Sequence, residues 1–170
     1  MRLFIRLLWV VSVLGTVVVL FKTYGNLALN FYYYPTEQTS LHFSKNEYFF
    51  YALGAIVVSN LLFLLLHNSI TQTPNAYILT PSSKFWTSTA FNRRCFNQII
   101  QNWCLAFAAT VNYMLCYFMM LVEHANHADG SKVEAVHWFY IPGLVMLFSM
   151  VAPLIRLFMK TPNFLARTDQ

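Results

Sequence analysis

Four long apolar runs constrain this chain more than any other feature, and the longest occupies residues 99–122. That run has 24 residues, whereas a helix needs about 20 residues to cross a bilayer. Shorter runs occupy residues 3–21, 48–66 and 138–157. The pattern predicts an all-α membrane protein: four transmembrane helices in one integral membrane domain, arranged as two antiparallel hairpins with short loops and no separate soluble domain.

Composition supports the membrane class. Hydrophobic residues make up 58% of the chain and charged residues only 10%, against about 25% charged in soluble domains. The net charge of +5 could indicate nucleic-acid binding, but the basic residues are scattered at the ends of apolar runs. We therefore expect the bilayer, and no nucleic acid, as the partner of these charges. The three cysteines lie in or near the third run, which argues against a disulfide framework.

The first run has two interpretations. A basic start followed by an apolar centre is typical of a cleaved signal peptide. No A-x-A cleavage pattern follows the run, however, and Arg6 can extend its head group to the interface. We therefore predict a retained first transmembrane helix.

Two connecting segments are rich in aromatic residues. Residues 24–34 carry apolar side chains at helical spacing, so we expect them to extend the first helix or to lie flat on the membrane until Pro35 ends them. Residues 76–92 contain Tyr77, Phe85 and Trp86 between turn signals, and we expect them to lie on the membrane surface with their aromatic rings inserted.

The basic residues also predict an orientation. With four spans, eight of them lie on the side of the termini and three on the other. By the positive-inside rule, both termini are then cytoplasmic, and the bacterial cytoplasmic (inner) membrane is the expected location. The residues predicted to anchor this orientation are Arg2, Arg6, Arg93, Arg94, Arg156 and Lys160.

Polar residues inside the apolar runs indicate where helices meet. Amides in hydrocarbon need hydrogen-bond partners, and a neighbouring helix usually supplies them. We predict intramembrane polar packing at Asn60, Asn102, Asn112 and Cys116. The alternative is a stripe that lines a path for a small neutral or lipid-like molecule.

A cluster of titratable residues lies at the predicted outer side. Imidazole and carboxylate groups bind transition metals, and histidine pairs bind haem. The candidate ligands are Glu123, His124, His127 and His137. The alternative is that a short exterior loop is simply polar, since no metal-binding motif such as H-E-x-x-H is present.

No catalytic motif occurs in the chain, and no residue is assigned a catalytic role. The apolar spans also lack the central charge that ion-coupled transport usually requires. We therefore expect an accessory or structural subunit, or a partner-binding component of a larger membrane complex, with other membrane protein subunits or further copies of the chain as partners. The alternatives are a metal- or haem-binding redox protein that uses the outer cluster, and a small transporter.

Overall fold

The computed structural model describes residues 2–28, 30–32, 42–80 and 82–126, and in addition Leu144, Phe148, Val151, Ile155, Leu157 and Phe158. The described residues are mostly helical. Three of their helices are long and apolar enough to cross a membrane: Leu3–Asn26, Lys45–Gln72 and Ala90–His124. Large apolar side chains on the first two of these helices point away from the protein, which is stable where lipid rather than water surrounds them.

Two of the three long helices begin with a capping residue. Helix α1 covers Arg2–Asn26, α2 covers Lys45–Gln72 and α4 covers Ala90–Ala125. The Ser44 hydroxyl accepts a hydrogen bond from the backbone N–H of Glu47, and the backbone N–H of Ser44 donates to the Glu47 carboxylate at 2.8 Å. This reciprocal pair is a capping box. Thr89 caps α4 by accepting from Asn92.

The helices are longer than the apolar runs. Helix α2 has 28 residues and α4 has 36, which at about 1.5 Å per residue gives lengths of about 42 and 54 Å. A hydrocarbon core is only about 30 Å thick. Polar turns at the helix ends therefore extend beyond the apolar runs, and the loop between α2 and α4 is shorter than the runs suggested.

The first connecting segment differs from its prediction. Helix α1 ends at Asn26, and Asn30–Tyr32 forms strand β1, which pairs antiparallel with strand β2, His42–Ser44. The first helix therefore does extend past residue 24, but only to Asn26, and the expectation of helix is wrong for residues 30–32. The alternative, that this segment lies flat on the membrane, stays a prediction. Aromatic residues favour strands, and pairing with β2 satisfies the backbone of β1 in a way that sequence spacing did not reveal.

The second connecting segment is folded onto the helices. It contains a 3₁₀ turn, Asn75–Tyr77, and a short helix α3, Ser83–Thr87. Trp86, expected to insert into the membrane, is instead 0% exposed and packs with Ile78, Phe96 and Ile99. Its indole nitrogen donates to the carbonyl of Leu157 at 3.1 Å. A buried indole N–H needs such an acceptor, which explains why the ring turns inward.

Helix α4 is the main neighbour of both α1 and α2. Contacts between Trp9 and Asn60, and between Thr23 and Tyr48, show that α1 and α2 run in opposite directions. Contacts of Thr16 with Asn112, and of Asn26 with Glu123, show that α1 and α4 run the same way. The fourth predicted span, residues 138–157, and its hairpin with α4 lie largely outside the described residues; the six described residues of the C-terminal part are helical.

Candidate functional site

The most distinctive feature of the described chain is a polar cluster where α1, α2 and α4 meet. At its centre the side-chain amides of Asn60 and Asn112 face each other. Asn60 donates to Asn112 at 2.8 Å, and Asn112 donates back at 3.1 Å. The second hydrogens of the two amides go to the backbone of Ile56, at 2.8 Å, and to the hydroxyl of Ser12, at 3.1 Å. All four amide hydrogens therefore have acceptors inside the protein.

Helix α1 supplies the remaining partners of the cluster. The indole nitrogen of Trp9 donates to the Asn60 oxygen at 2.9 Å. The Thr16 hydroxyl lies 2.7 Å from the backbone oxygen of Ser12 and 3.2 Å from that of Asn112. The Cys116 thiol donates to the Thr16 hydroxyl at 3.2 Å. We call these six residues the amide cluster: Trp9, Ser12, Thr16, Asn60, Asn112 and Cys116.

The amide cluster lies deep within the apolar runs, and its centre is buried, whereas Trp9, Ser12 and Cys116 at its edge are half-buried. Asn112 and Thr16 are both 0% exposed. Apolar residues cover the cluster towards both ends of the helices: Leu20 and Met119 on one side, Phe63 and Phe107 on the other. In such a setting the loss of a hydrogen-bond partner of an amide costs several times more free energy than it does in water, because no water replaces the partner. The closed set of partners makes this arrangement suited to holding three helices in one register.

Among the predicted packing residues, the structure places Asn60, Asn112 and Cys116 together. Asn102 lies elsewhere: it is half-buried on α4, nearly three turns before Asn112, and no hydrogen bond between described residues joins it to the amide cluster. A helical turn has 3.6 residues, so ten residues rotate Asn102 away from the direction of Asn112. The role of these residues in helix association stays a prediction.

Sequence reasoning missed the contribution of α1. Trp9, Ser12 and Thr16 are spaced by three and four residues and are the polar members of an otherwise apolar stretch. That spacing places them on one face of a helix. The same face continues with Thr23, whose hydroxyl lies 3.0 Å from that of Tyr48 on α2. The spacing was therefore the available signal.

A second group of polar contacts joins the helices at the predicted outer side. The Glu123 carboxylate is buried, accepts a hydrogen bond from Asn26 and lies 4.0 Å from the Lys22 ammonium group. Lys22 is largely exposed, so solvent screens the ion pair. Nearby, the Tyr24 hydroxyl donates to Asn46 at 3.2 Å, and Lys45 lies over the Tyr24 ring at 4.7 Å.

The predicted metal ligands are only partly described. Glu123 is turned towards α1, whereas His124 is exposed. His127 and His137 lie outside the described residues. Within the described part of the chain, no three His, Cys, Asp or Glu side chains lie close enough to hold a metal ion. A metal or haem site that includes His127 and His137 stays a prediction.

The predicted orientation anchors differ in their surroundings. Arg2 begins α1, and Arg6 and Arg94 are exposed. Arg93 is half-buried, and its guanidinium donates to the carbonyls of Ile70 and Thr73, at 3.1 and 2.6 Å. It also lies over the ring of Phe96 at 5.6 Å. Arg93 thus caps the C-terminal end of α2, where a cation is favourable. Arg156 and Lys160 lie outside the described residues.

Comparison with known proteins gives no family. No protein-family model, no curated protein and no solved structure matches this chain. The functional argument therefore rests on the geometry of the chain itself.

Proposed function

We propose that this chain is a small multi-pass membrane protein that works as a structural accessory subunit, or partner-binding component, of a larger membrane complex. Both termini lie in the cytoplasm, and the membrane is the bacterial cytoplasmic membrane. The observation that carries the proposal is the reciprocal hydrogen bonding of Asn60 and Asn112. The polar groups deep in the membrane are used to hold helices together, which leaves the outward faces of the helices for association.

The same observation favours association over transport along the polar stripe. A residue that lines a path must offer polar atoms to the passing molecule. The Asn112 side chain is fully buried, and its amide hydrogens already have protein acceptors. Opening a path there would break at least two interhelical hydrogen bonds in a medium without water to replace them.

A second feature supports a protein partner. Tyr113 follows Asn112 and is 53% exposed on α4. It lies near the middle of the apolar run, so its hydroxyl is too deep to reach the headgroup region where tyrosine is usually found. A hydroxyl at that depth is stabilised by a hydrogen bond to another helix. We therefore infer that the Tyr113 face of α4 contacts a transmembrane helix of a partner subunit or of a second copy.

Photocrosslinking in native membranes tests this proposal. A benzoylphenylalanine introduced at Tyr113 should form a covalent protein adduct of defined mass. The same probe at Val58 provides a matched control, because Val58 is 66% exposed on α2 and should react with lipid alone. An adduct of twice the chain mass would identify a homo-oligomer, and a different mass a partner subunit. The absence of protein adducts at Tyr113, together with a monomer in mild detergent, would contradict the proposal.

A further inference from the structure

The turn between α2 and α3 exposes two large apolar side chains in an ordered setting. Leu79 is 94% exposed and Tyr77 is 74% exposed, yet Ile78 between them is buried. The backbone of the turn is fixed by hydrogen bonds from Tyr77 to Pro74, at 3.1 Å, and from Ile78 to Asn75, at 3.2 Å. Fully exposed leucine beside tyrosine in a fixed turn is unfavourable in water.

The packing of Ile78 gives the depth of this turn. Ile78 belongs to a cluster with Cys95, Phe96 and Ile99 of α4, and Ile70 of α2 packs against the same cluster. Ile99 is the first residue of the longest apolar run, and Ile70 lies one turn beyond the end of the second run. Ile78 therefore lies at the level where the apolar parts of both helices stop. Tyr77 and Leu79 flank it at that same level.

Exposed cations lie beside this level on two helices: Lys84 on α3, two residues before the buried Trp86, and Arg94 on α4, next to the buried Cys95. No Asp or Glu occurs between residues 48 and 122, so no acidic side chain of that stretch neutralises these cations. The combination is complementary to a leaflet whose headgroups are anionic.

We propose that this turn, called the hook below and comprising Tyr77, Ile78 and Leu79, binds lipid by inserting Tyr77 and Leu79 into the headgroup boundary of the inner leaflet. Lys84 and Arg94 then bind the phosphates of anionic lipids. The inference rests on the proposed insertion of α2 and α4 in a membrane and names a lipid partner for their connecting loop. Tyrosine suits this position because its ring is apolar and its hydroxyl remains hydrated.

Fluorescence depth measurement on the full chain tests the insertion. A polarity-sensitive dye is attached to L79C and, as a matched control, to N75C, an exposed polar position in the same turn. The protein is reconstituted in vesicles of phosphatidylcholine and phosphatidylglycerol that contain spin-labelled lipid. We expect blue-shifted emission and strong quenching at position 79, with weaker quenching at position 75. Emission typical of water at position 79, or equal quenching at both positions, would overturn the proposal.

Lipid selection provides the second measurement. After extraction from the mixed vesicles, the protein should retain phosphatidylglycerol in excess over its bulk fraction. The double variant K84Q/R94Q should lose this enrichment, whereas K22Q, which removes an exposed cation at the other end of α1, should keep it. Unchanged enrichment in K84Q/R94Q, or equal loss in K22Q, would overturn the proposal. Circular dichroism checks that each variant retains its helices.

The two proposals fail in different ways. If the hook is wrong, position 79 reports water while the Tyr113 crosslink to a partner persists. If the accessory-subunit proposal is wrong, the Tyr113 probe finds no protein while position 79 still reports lipid. If α2 and α4 do not enter the bilayer, the spin-labelled lipid quenches neither turn position and both proposals are rejected together.

Discussion

Asn60 and Asn112 show how a single amide determines which helices can meet. Each side chain provides two donors and an oxygen that accepts, and in hydrocarbon there is no water to satisfy them. The two residues satisfy each other and use Ser12, Trp9 and a backbone carbonyl for the rest. A leucine at either position keeps the volume but leaves the other amide without its partner.

We therefore predict strong coupling between these two positions. N60L and N112L should each lower the free energy of unfolding in bicelles by about 1–3 kcal/mol. The double variant should lose clearly less free energy of unfolding than the two single variants lose in sum, because it leaves neither amide unpaired. Reversible unfolding measured by steric trapping provides the values. T110V serves as the control, since the Thr110 hydroxyl bonds only within α4, to Ala106. If the losses in free energy of unfolding caused by N60L and N112L simply added in the double variant, the reciprocal hydrogen bonding of the two amides would be contradicted.

The same residues mark what sequence alone could and could not provide. An amide inside an apolar run requires an external partner, so Asn60 and Asn112 were identifiable. A serine or threonine hydroxyl can bond to a carbonyl of its own helix, as Thr16 does to Ser12, so its presence does not require a neighbour. For this reason the α1 side of the amide cluster was not predictable from composition, although its spacing was visible.

At the scale of elements, the ends of the helices were harder to predict than their apolar centres. The lengths of the apolar runs predicted four spans, and three of them correspond to the long helices of the described residues, but α2 continues to Gln72 and α4 begins at Ala90. These extra turns are polar, and tertiary contacts stabilise them. The Arg93 guanidinium binds the last carbonyls of α2, and Asn92 donates to the Phe85 carbonyl. Such contacts between distant segments leave no periodic signal in the sequence.

Arg93 therefore gives a prediction for the end of α2. R93Q should expose the carbonyls of Ile70 and Thr73, because a shorter neutral side chain does not provide the two charge-assisted donors. We expect loss of about 1 kcal/mol in local stability, seen as faster amide exchange in residues 68–73 by mass spectrometry. R94Q is the matched control: it removes the neighbouring charge from an exposed position. If R93Q and R94Q accelerated amide exchange in residues 68–73 equally, the positive charge and not the hydrogen bonds of Arg93 to the carbonyls would stabilise the end of α2.

At the scale of the whole molecule, α4 connects the parts that the sequence suggested would form separate hairpins. Its N-terminal part packs with the turn and α3 through Phe96 and Ile99, its centre holds the amide cluster, and its C-terminal end binds α1 through Glu123. Sequence order favours contacts between consecutive helices. Besides their contacts with each other, however, α1 and α2 both place polar side chains against α4: Thr16 contacts the Asn112 carbonyl and Asn60 bonds to the Asn112 side chain. Hydrogen bonding between polar side chains thus determines which of the described helices are neighbours. A hydropathy pattern does not reveal these pairings.

Because α4 contacts both α1 and α2, the direction in which α4 crosses the membrane determines the topology of all three helices. His124 and Lys84 are both exposed and lie near opposite ends of the proposed membrane crossing. In intact cells, a membrane-impermeant maleimide should label H124C, whereas K84C should react only after the membrane is permeabilised. The unsubstituted protein provides the background, because Cys95 and Cys104 are buried and Cys116 bonds to Thr16. Labelling of both positions from one side would exclude a crossing by α4, while the reverse pattern would keep the crossing and invert the termini. In the second case the cations Arg93 and Arg94 would face outward against the positive-inside rule, and their role would be confined to capping α2 and binding lipid.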